Sequence, residues 1–210
     1  MSETKEPAGK RPRWRAWTRE LLGMGVVLSL ALTARGTLAD HYHVPTGSMR
    51  PTVEVGDRIF VNKAAYGLRV PLSERWLTQF DGPAAGDVVV LHSPEDGTVL
   101  LKRIVAAPGD EVAIREGRLW RNGSFAPFEL DDGGEPLERL GDAVHPLRLD
   151  DGGGPDFGPV RVPPESYLVV GDNRGNSLDG RTFGWVERKA ILGKGVAVFA
   201  RNGRPTWKDL

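Results

Sequence analysis

In the stretch "HVPTGSMRPTVEVGD", residues 43–57, Ser48 stands between Gly47 and Met49, three residues before Pro51. Glycine and proline on either side mark a turn. Such a turn is an ordinary place for a structural serine, and it is equally a place where a hydroxyl and its own backbone N–H are exposed together, as a nucleophile requires. A serine nucleophile needs a base. Of the four histidines, His41 and His43 flank Tyr42, His92 sits where a strand meets a turn and His145 lies in an irregular region. None has a context that ties it to Ser48, so a Ser-His-Asp arrangement has no support. The absence of cysteine excludes disulfides, a thiol nucleophile and thiolate metal sites. The His41-x-His43 pair would bind a metal only if carboxylates joined it. The acidic runs "LDDGGEP" and "LDDGGGP" lack the spacing of an EF-hand loop, so the sequence implies no metal and no cofactor.

Lysine is the better base. In "VLLKRIVAA", residues 99–107, strand alternation places Leu100, Lys102 and Ile104 on one face and Leu101, Arg103 and Val105 on the other. Two cations stand among apolar neighbours, and a strand buried on at least one face puts one of them at risk of desolvation. An ordinary lysine, with a pKa near 10.4, is neutral in roughly one molecule in 2,000 at pH 7. Lowering that value to about 8 requires the charged form to be destabilised by roughly 3 kcal/mol, which burial of an ammonium supplies. Arginine cannot be tuned in this way. If this strand carries a base, it is Lys102; otherwise Lys102 snorkels or pairs with an acid.

The elements that must position these residues are short. With 27 glycines and 16 prolines in 210 residues, the chain predicts one β-rich domain of strands and tight turns. Residues 87–92 and 98–106 form a predicted hairpin across Pro94-Glu95-Asp96-Gly97. Residues 111–115 fold onto 118–121 across Glu116-Gly117, with Asn122-Gly123 opening the next turn. From residue 124 to 164 the composition turns to Gly, Asp and Pro, which predicts loop or a small inserted lobe, about 115–163. Residues 190–200 read as a closing strand broken by glycines. Trp76 and Phe80, in the long link from Tyr66 to Gly86, either rest at a bilayer surface or pack in the core. The expected class is mainly β, antiparallel sheets in a partly open, barrel-like arrangement, preceded by one N-terminal transmembrane helix. Residues 1–16 form a basic tail. The run "LLGMGVVLSLALTA" extends to membrane length if counted from Trp17 to residue 39. Positive-inside bias then keeps the N-terminus in the cytoplasm and sends residues 40–210 across the membrane. Thr37-Leu38-Ala39 also fits a cleavage site, which leaves a cleaved leader open. Even charge, 28 basic against 28 acidic residues, gives no global sign of a nucleic-acid partner.

Three separate stretches, "VPTGSMRPTVEVGDRIFVNK", "KRIVAAPGDEVAI" and "YLVVGDNRGNSLDGRTFG", in this order behind an apolar segment, resemble the motifs of the bacterial type I signal peptidases of peptidase family S26. That resemblance implies a serine endopeptidase, anchored in the cytoplasmic membrane with its catalytic domain outside. It would act as a monomer that cuts signal peptides from exported precursors after A-x-A-like sites. Its partners would be those peptides and the lipid bilayer, not nucleic acid. By position, Ser48 is the nucleophile, Lys102 its general base, and Thr46 supplies an oxyanion-hole hydroxyl beside the Ser48 N–H. Ser177 and Asp179 orient the lysine, with Arg181 in support, while Val44, Pro45, Met49 and Leu101 line the substrate pockets. Gly175, Gly180, Ala106 and Thr46 depart from the residues common in the family. A self-cleaving repressor shares the dyad but needs a helix-turn-helix where this chain has its basic and apolar segment. An inactive paralogue would have lost Ser48 or Lys102. A peptidase dedicated to a conjugation or pilus component stays open.

Overall fold

In a computed structural model, the described residues are 38–70 and 75–210, with Trp17, residues 20–25 and Val27. The expected basic tail and most of the expected membrane segment lie outside them. No helix among the described residues is long and apolar enough to cross a membrane.

The strands, in chain order, are β1 (Ala39–His43), β2 (Arg58–Asn62), β3 (Gly67–Arg69), β4 (Trp76–Gln79), β5 (Val88–His92) and β6 (Val99–Ala106). There follow β7 (Glu111–Arg115), β8 (Arg118–Arg121), β9 (Ser124–Phe125), β10 (Phe128–Leu130), β11 (Pro136–Leu140) and β12 (Ala143–Pro146). The last five are β13 (Phe157–Arg161), β14 (Ser166–Val170), β15 (Val186–Glu187), β16 (Ile191–Arg201) and β17 (Arg204–Asp209). Eight of them make one antiparallel sheet in the order β1-β2-β16-β5-β6-β14-β15, with β17 added to β16. Its central members are continuous runs of β-branched and aliphatic residues. Val88 to Leu91 and Ser166 to Val170 are buried at every position, as strands covered on both faces must be. Register shifts in β14–β6, β16–β2 and β16–β5 add local twist and curl the sheet.

Both expected hairpins form. β5 and β6 pair with Val89 opposite Lys102, across a turn in which Gly97 takes a positive φ and Asp96 accepts from the Thr98 N–H. β7 and β8 turn at Glu116-Gly117, both at positive φ. One expectation is corrected. The closing strand β16 is unbroken over 11 residues, because Gly193 and Gly195 leave room where neighbouring strands pack closely. The 124–164 region is ordered: β10, β11 and β12 make a three-stranded sheet, while β9 and β13 complete a four-stranded sheet with β7 and β8. Its hydrophobic contribution is small but real, since Leu140 and Val162 join Val105, Ile114 and Val170 in one core cluster. Of the two link aromatics, Trp76 is half-buried beneath the Arg69 guanidinium, 4.3 Å from the ring centre, while Phe80 is exposed.

Candidate active site

The segment between β1 and β2 is a closed loop. Val44 N–H donates to the Asp57 carbonyl and Gly56 N–H to the Val44 carbonyl, at 2.9 and 2.8 Å, fastening its neck. Arg50 N–H donates to the Gly47 carbonyl and Val53 N–H to the Met49 carbonyl, which winds residues 47–53 into tight turns. Burial of Met49 and Val53 roots this coil in the core beside Ile59, Val61 and Val88. Ser48 sits on the coil, with its carbonyl accepting from Asn173 N–H at 3.1 Å while Asn173 Nδ2 donates to the Gly47 carbonyl.

Lys102 reaches this turn from β6. Its Nζ lies 2.6 Å from Ser48 Oγ, a hydrogen bond between residues 54 apart in sequence. The sequence placed one of the two strand cations at risk of desolvation; the fold buries both, Lys102 and Arg103 each being 2% exposed. The reason is that β6 is an interior strand, flanked by β5 and β14 and covered on both faces. The two cations are treated oppositely. Arg103 forms a bidentate pair with Asp172, Nε to Oδ1 and Nη2 to Oδ2 both at 2.8 Å, and its Nη1 donates to the Gly86 carbonyl. Lys102 has no ion pair among the described residues. Burial therefore pulls its pKa down from 10.5; the carboxylates of Asp179 and Asp172 pull it up, Arg181 opposes them, and the result is about 8.

The "GDNRGNSLDGR" segment closes the site from behind. Asp179, fully buried, accepts from the Gly171 N–H at 3.0 Å and from Arg181 Nε at 2.9 Å; Arg181 also donates to the Gly153 and Arg174 carbonyls. Burial pushes the Asp179 carboxyl up, but hydrogen bonds and charge from Arg181 outweigh it and hold the carboxyl below its usual range. Ser177 Oγ is buried without a well-formed hydrogen bond, and none joins it to Lys102. It abuts Gly171, where a Cβ would overlap both Ser177 Oγ and the Ser48 carbonyl oxygen. Glycine at 171 is therefore what lets the two segments touch. Two of the departures noted in the sequence have a packing cause of the same kind. A Cβ at Gly175 would overlap the Asp150 carbonyl, and one at Gly180 would press on Leu168 and the Val169 carbonyl at 2.8 Å each.

Beside the Ser48–Lys102 contact lies a mainly apolar groove with a cavity of about 180 Å³. Val44, Pro45, Met49 and Leu101 line it, as expected, and Thr46 stands exposed at its edge. Sequence reasoning missed Tyr42, His43, Ile59, Val90, Val99 and Leu100, which complete the lining. Tyr42 and Val44 share one face of the same extended segment, so period-two alternation from Val44 was the available signal. Among the described residues no cluster of histidine and acidic side chains is arranged to hold a metal. A half-buried serine hydroxyl, a buried lysine with a lowered pKa and an open apolar groove with room for small side chains can together perform acyl transfer.

The family model described as "Signal peptidase, peptidase S26" matches residues 17–200. A signal peptidase I from Pseudomonas aeruginosa is 36% identical over 212 residues, covering 87% of this chain and 70% of that protein. A signal peptidase I from Bacillus licheniformis is 31% identical over 202 residues, 95% of each. A crystal structure of a signal peptidase I from Enterococcus faecalis is 25% identical, covers 55% of this chain and 98% of its own, and superposes with a TM-score of 0.41.

Proposed function

The chain belongs to the signal peptidases of peptidase family S26, serine peptidases that remove signal peptides, and from that premise we propose that Ser48 and Lys102 are its catalytic dyad. The observation that carries this reading is the 2.6 Å contact between Ser48 Oγ and the buried, unpaired Lys102 Nζ. With a pKa of about 8, about one Lys102 in ten is neutral at pH 7, against one in thousands for an exposed lysine.

Neutral Lys102 takes the Ser48 proton as Oγ attacks the scissile carbonyl. The developing oxyanion is held by the Ser48 N–H and by the Thr46 hydroxyl, which stands free at the groove's edge. A well-placed donor there is worth about 3–4 kcal/mol. The lysine passes its proton to the leaving amine, which departs with the mature protein and leaves an acyl-enzyme. Water, deprotonated by the same lysine, then releases the signal peptide. An extended substrate adding as a strand along the groove presents alternate side chains to Val44, Pro45, Met49 and Leu101. The small free volume favours small side chains at the first and third positions before the cut, which is the A-x-A-like rule. Asp179 and Arg181 brace the site through Gly171, and Ser177 packs behind the nucleophile turn. Residues 17–39 anchor the enzyme in the cytoplasmic membrane with residues 40–210 outside.

Purified protein in detergent, incubated with a secretory precursor, is expected to yield one cut after an A-x-A-like site, and the Ser48→Ala protein none. Cleavage by the Ser48→Ala protein at the wild-type rate would overturn the assignment.

A further inference from the structure

The inserted lobe places a histidine in the polar core behind the site. His145, on β12, is 2% exposed, and neither ring nitrogen makes a well-formed hydrogen bond. Its Nε2 faces Glu138 Oε2, on β11, at 3.5 Å and Asp172 Oδ1, just beyond β14, at 3.8 Å. Both carboxylates are already neutralised: Glu138 by buried Arg174, Asp172 by Arg103 of β6. The imidazole carries a proton on at least one nitrogen, and the acceptors lie on the Nε2 side, so the ring points a donor into the gap between the two acids.

What Asp172 holds connects this gap to the nucleophile. Thr52 Oγ1 donates to Asp172 Oδ2 at 2.5 Å, and Thr52 belongs to the closed loop that carries Ser48. Three residues past His145, Arg148 N–H donates to the Asp172 carbonyl and Arg174 N–H to the Arg148 carbonyl, a short parallel bridge. The same segment holds Gly47 and Ser48 through Asn173. The lobe is thus two hydrogen bonds from the nucleophile turn. A buried imidazole with unsatisfied nitrogens costs stability and gains little by it, and such local conflicts concentrate where function demands them.

We propose that His145 is a positioning residue: from the lobe it orients the Asp172 carboxylate, and through Thr52 and the 172–174 segment it fixes the nucleophile turn against Lys102. This rests on the Ser48/Lys102 reading above.

The test compares full-length wild type, His145→Leu, His145→Gln and Ser48→Ala in the detergent assay with a secretory precursor, together with Tm. The leucine variant removes an unsatisfied polar ring and is expected to melt at or above the wild-type temperature. It is also expected to lose about tenfold or more in kcat, with KM within about twofold, the cost of a slightly misplaced reacting group. The glutamine variant, which restores an N–H donor, is expected to recover at least half of the wild-type kcat. A leucine variant with wild-type kcat would overturn the proposal. So would one that melts lower or fails to fold, because the ring would then act as structure, and so would a lost kcat that glutamine does not recover. An inactive Ser48→Ala protein beside an unaffected leucine variant rejects the role of His145 alone, whereas an active Ser48→Ala protein rejects the catalytic reading on which it rests.

Discussion

Replacement of Lys102 by methionine is expected to lower kcat by about a thousandfold or more while leaving the fold intact. Methionine keeps the unbranched stem and its packing and removes only the ammonium, so the loss reports proton transfer. Stability should move the opposite way. Lys102 is buried with no ion pair, and holding its pKa at about 8 rather than 10.5 penalises the folded protein by about 3 kcal/mol at pH 8 and below. The folded value lies below the unfolded one, so between about 8 and 10.5 the unfolded chain binds the proton more readily. Wild-type stability therefore rises with pH across that window. Denaturant titrations should find the methionine variant more stable by up to about 3 kcal/mol near pH 7, with the gap closing towards pH 10.5. A methionine variant that cleaves normally, or that is less stable at neutral pH, would contradict this picture.

The second large effect is expected from Asp172→Asn. The substitution keeps the shape and removes the charge that neutralises Arg103, whose guanidinium is buried with it. An uncompensated buried charge costs about 3–5 kcal/mol, a large share of a typical domain's stability, and should lower Tm by about 10 °C. Burial pushes the Asp172 carboxyl up, but the charge and hydrogen bonds of Arg103, with the Thr52 hydrogen bond, outweigh it and hold the carboxyl low. Its contribution is accordingly present above the ordinary carboxylate range and lost as pH falls through the depressed native value. The difference in Tm between wild type and variant should shrink on acidification; a difference that is small at pH 7, or that grows as pH falls, would show that the pair is not holding the fold.

The two effects come from adjacent residues of one strand, and the sequence distinguished them only in part. Strand alternation and the contrast between lysine and arginine singled out Lys102 as the tunable group, and the turn residues around Ser48 marked an exposed hydroxyl. Both readings depend on local chemistry, which a sequence displays. That Arg103 is equally buried depends on β6 lying between β5 and β14, a long-range pairing that no local pattern encodes. The hairpin β16–β17 carries its own local signal in Asn202-Gly203, both at positive φ, beyond the strand that the sequence reading treats as the closing one. That hairpin bears on the site, since Lys208 Nζ donates to the Thr52 carbonyl and Arg201 pairs with buried Asp57 at the neck of the nucleophile loop. His145 was the least legible residue. Its surroundings are Gly- and Asp-rich, and its burial arises only because the β11–β12 hairpin folds back onto the end of β14. The glycines at 175 and 180 depart from the family pattern for a reason no local pattern displays: the Asp150 carbonyl at the first, and the Leu168 side chain and Val169 backbone at the second, occupy the space a Cβ would need.

The claim that a neutral, buried Lys102 activates Ser48 is tested most directly by measuring kcat for precursor cleavage by the wild-type enzyme from about pH 6 to 10. Deprotonation of a lysine at about 8 should give a rate that climbs tenfold per pH unit below that value and levels off above it. A midpoint near 6.5, where an ordinary histidine titrates, or one at 10 or higher, where an exposed lysine does, would contradict it.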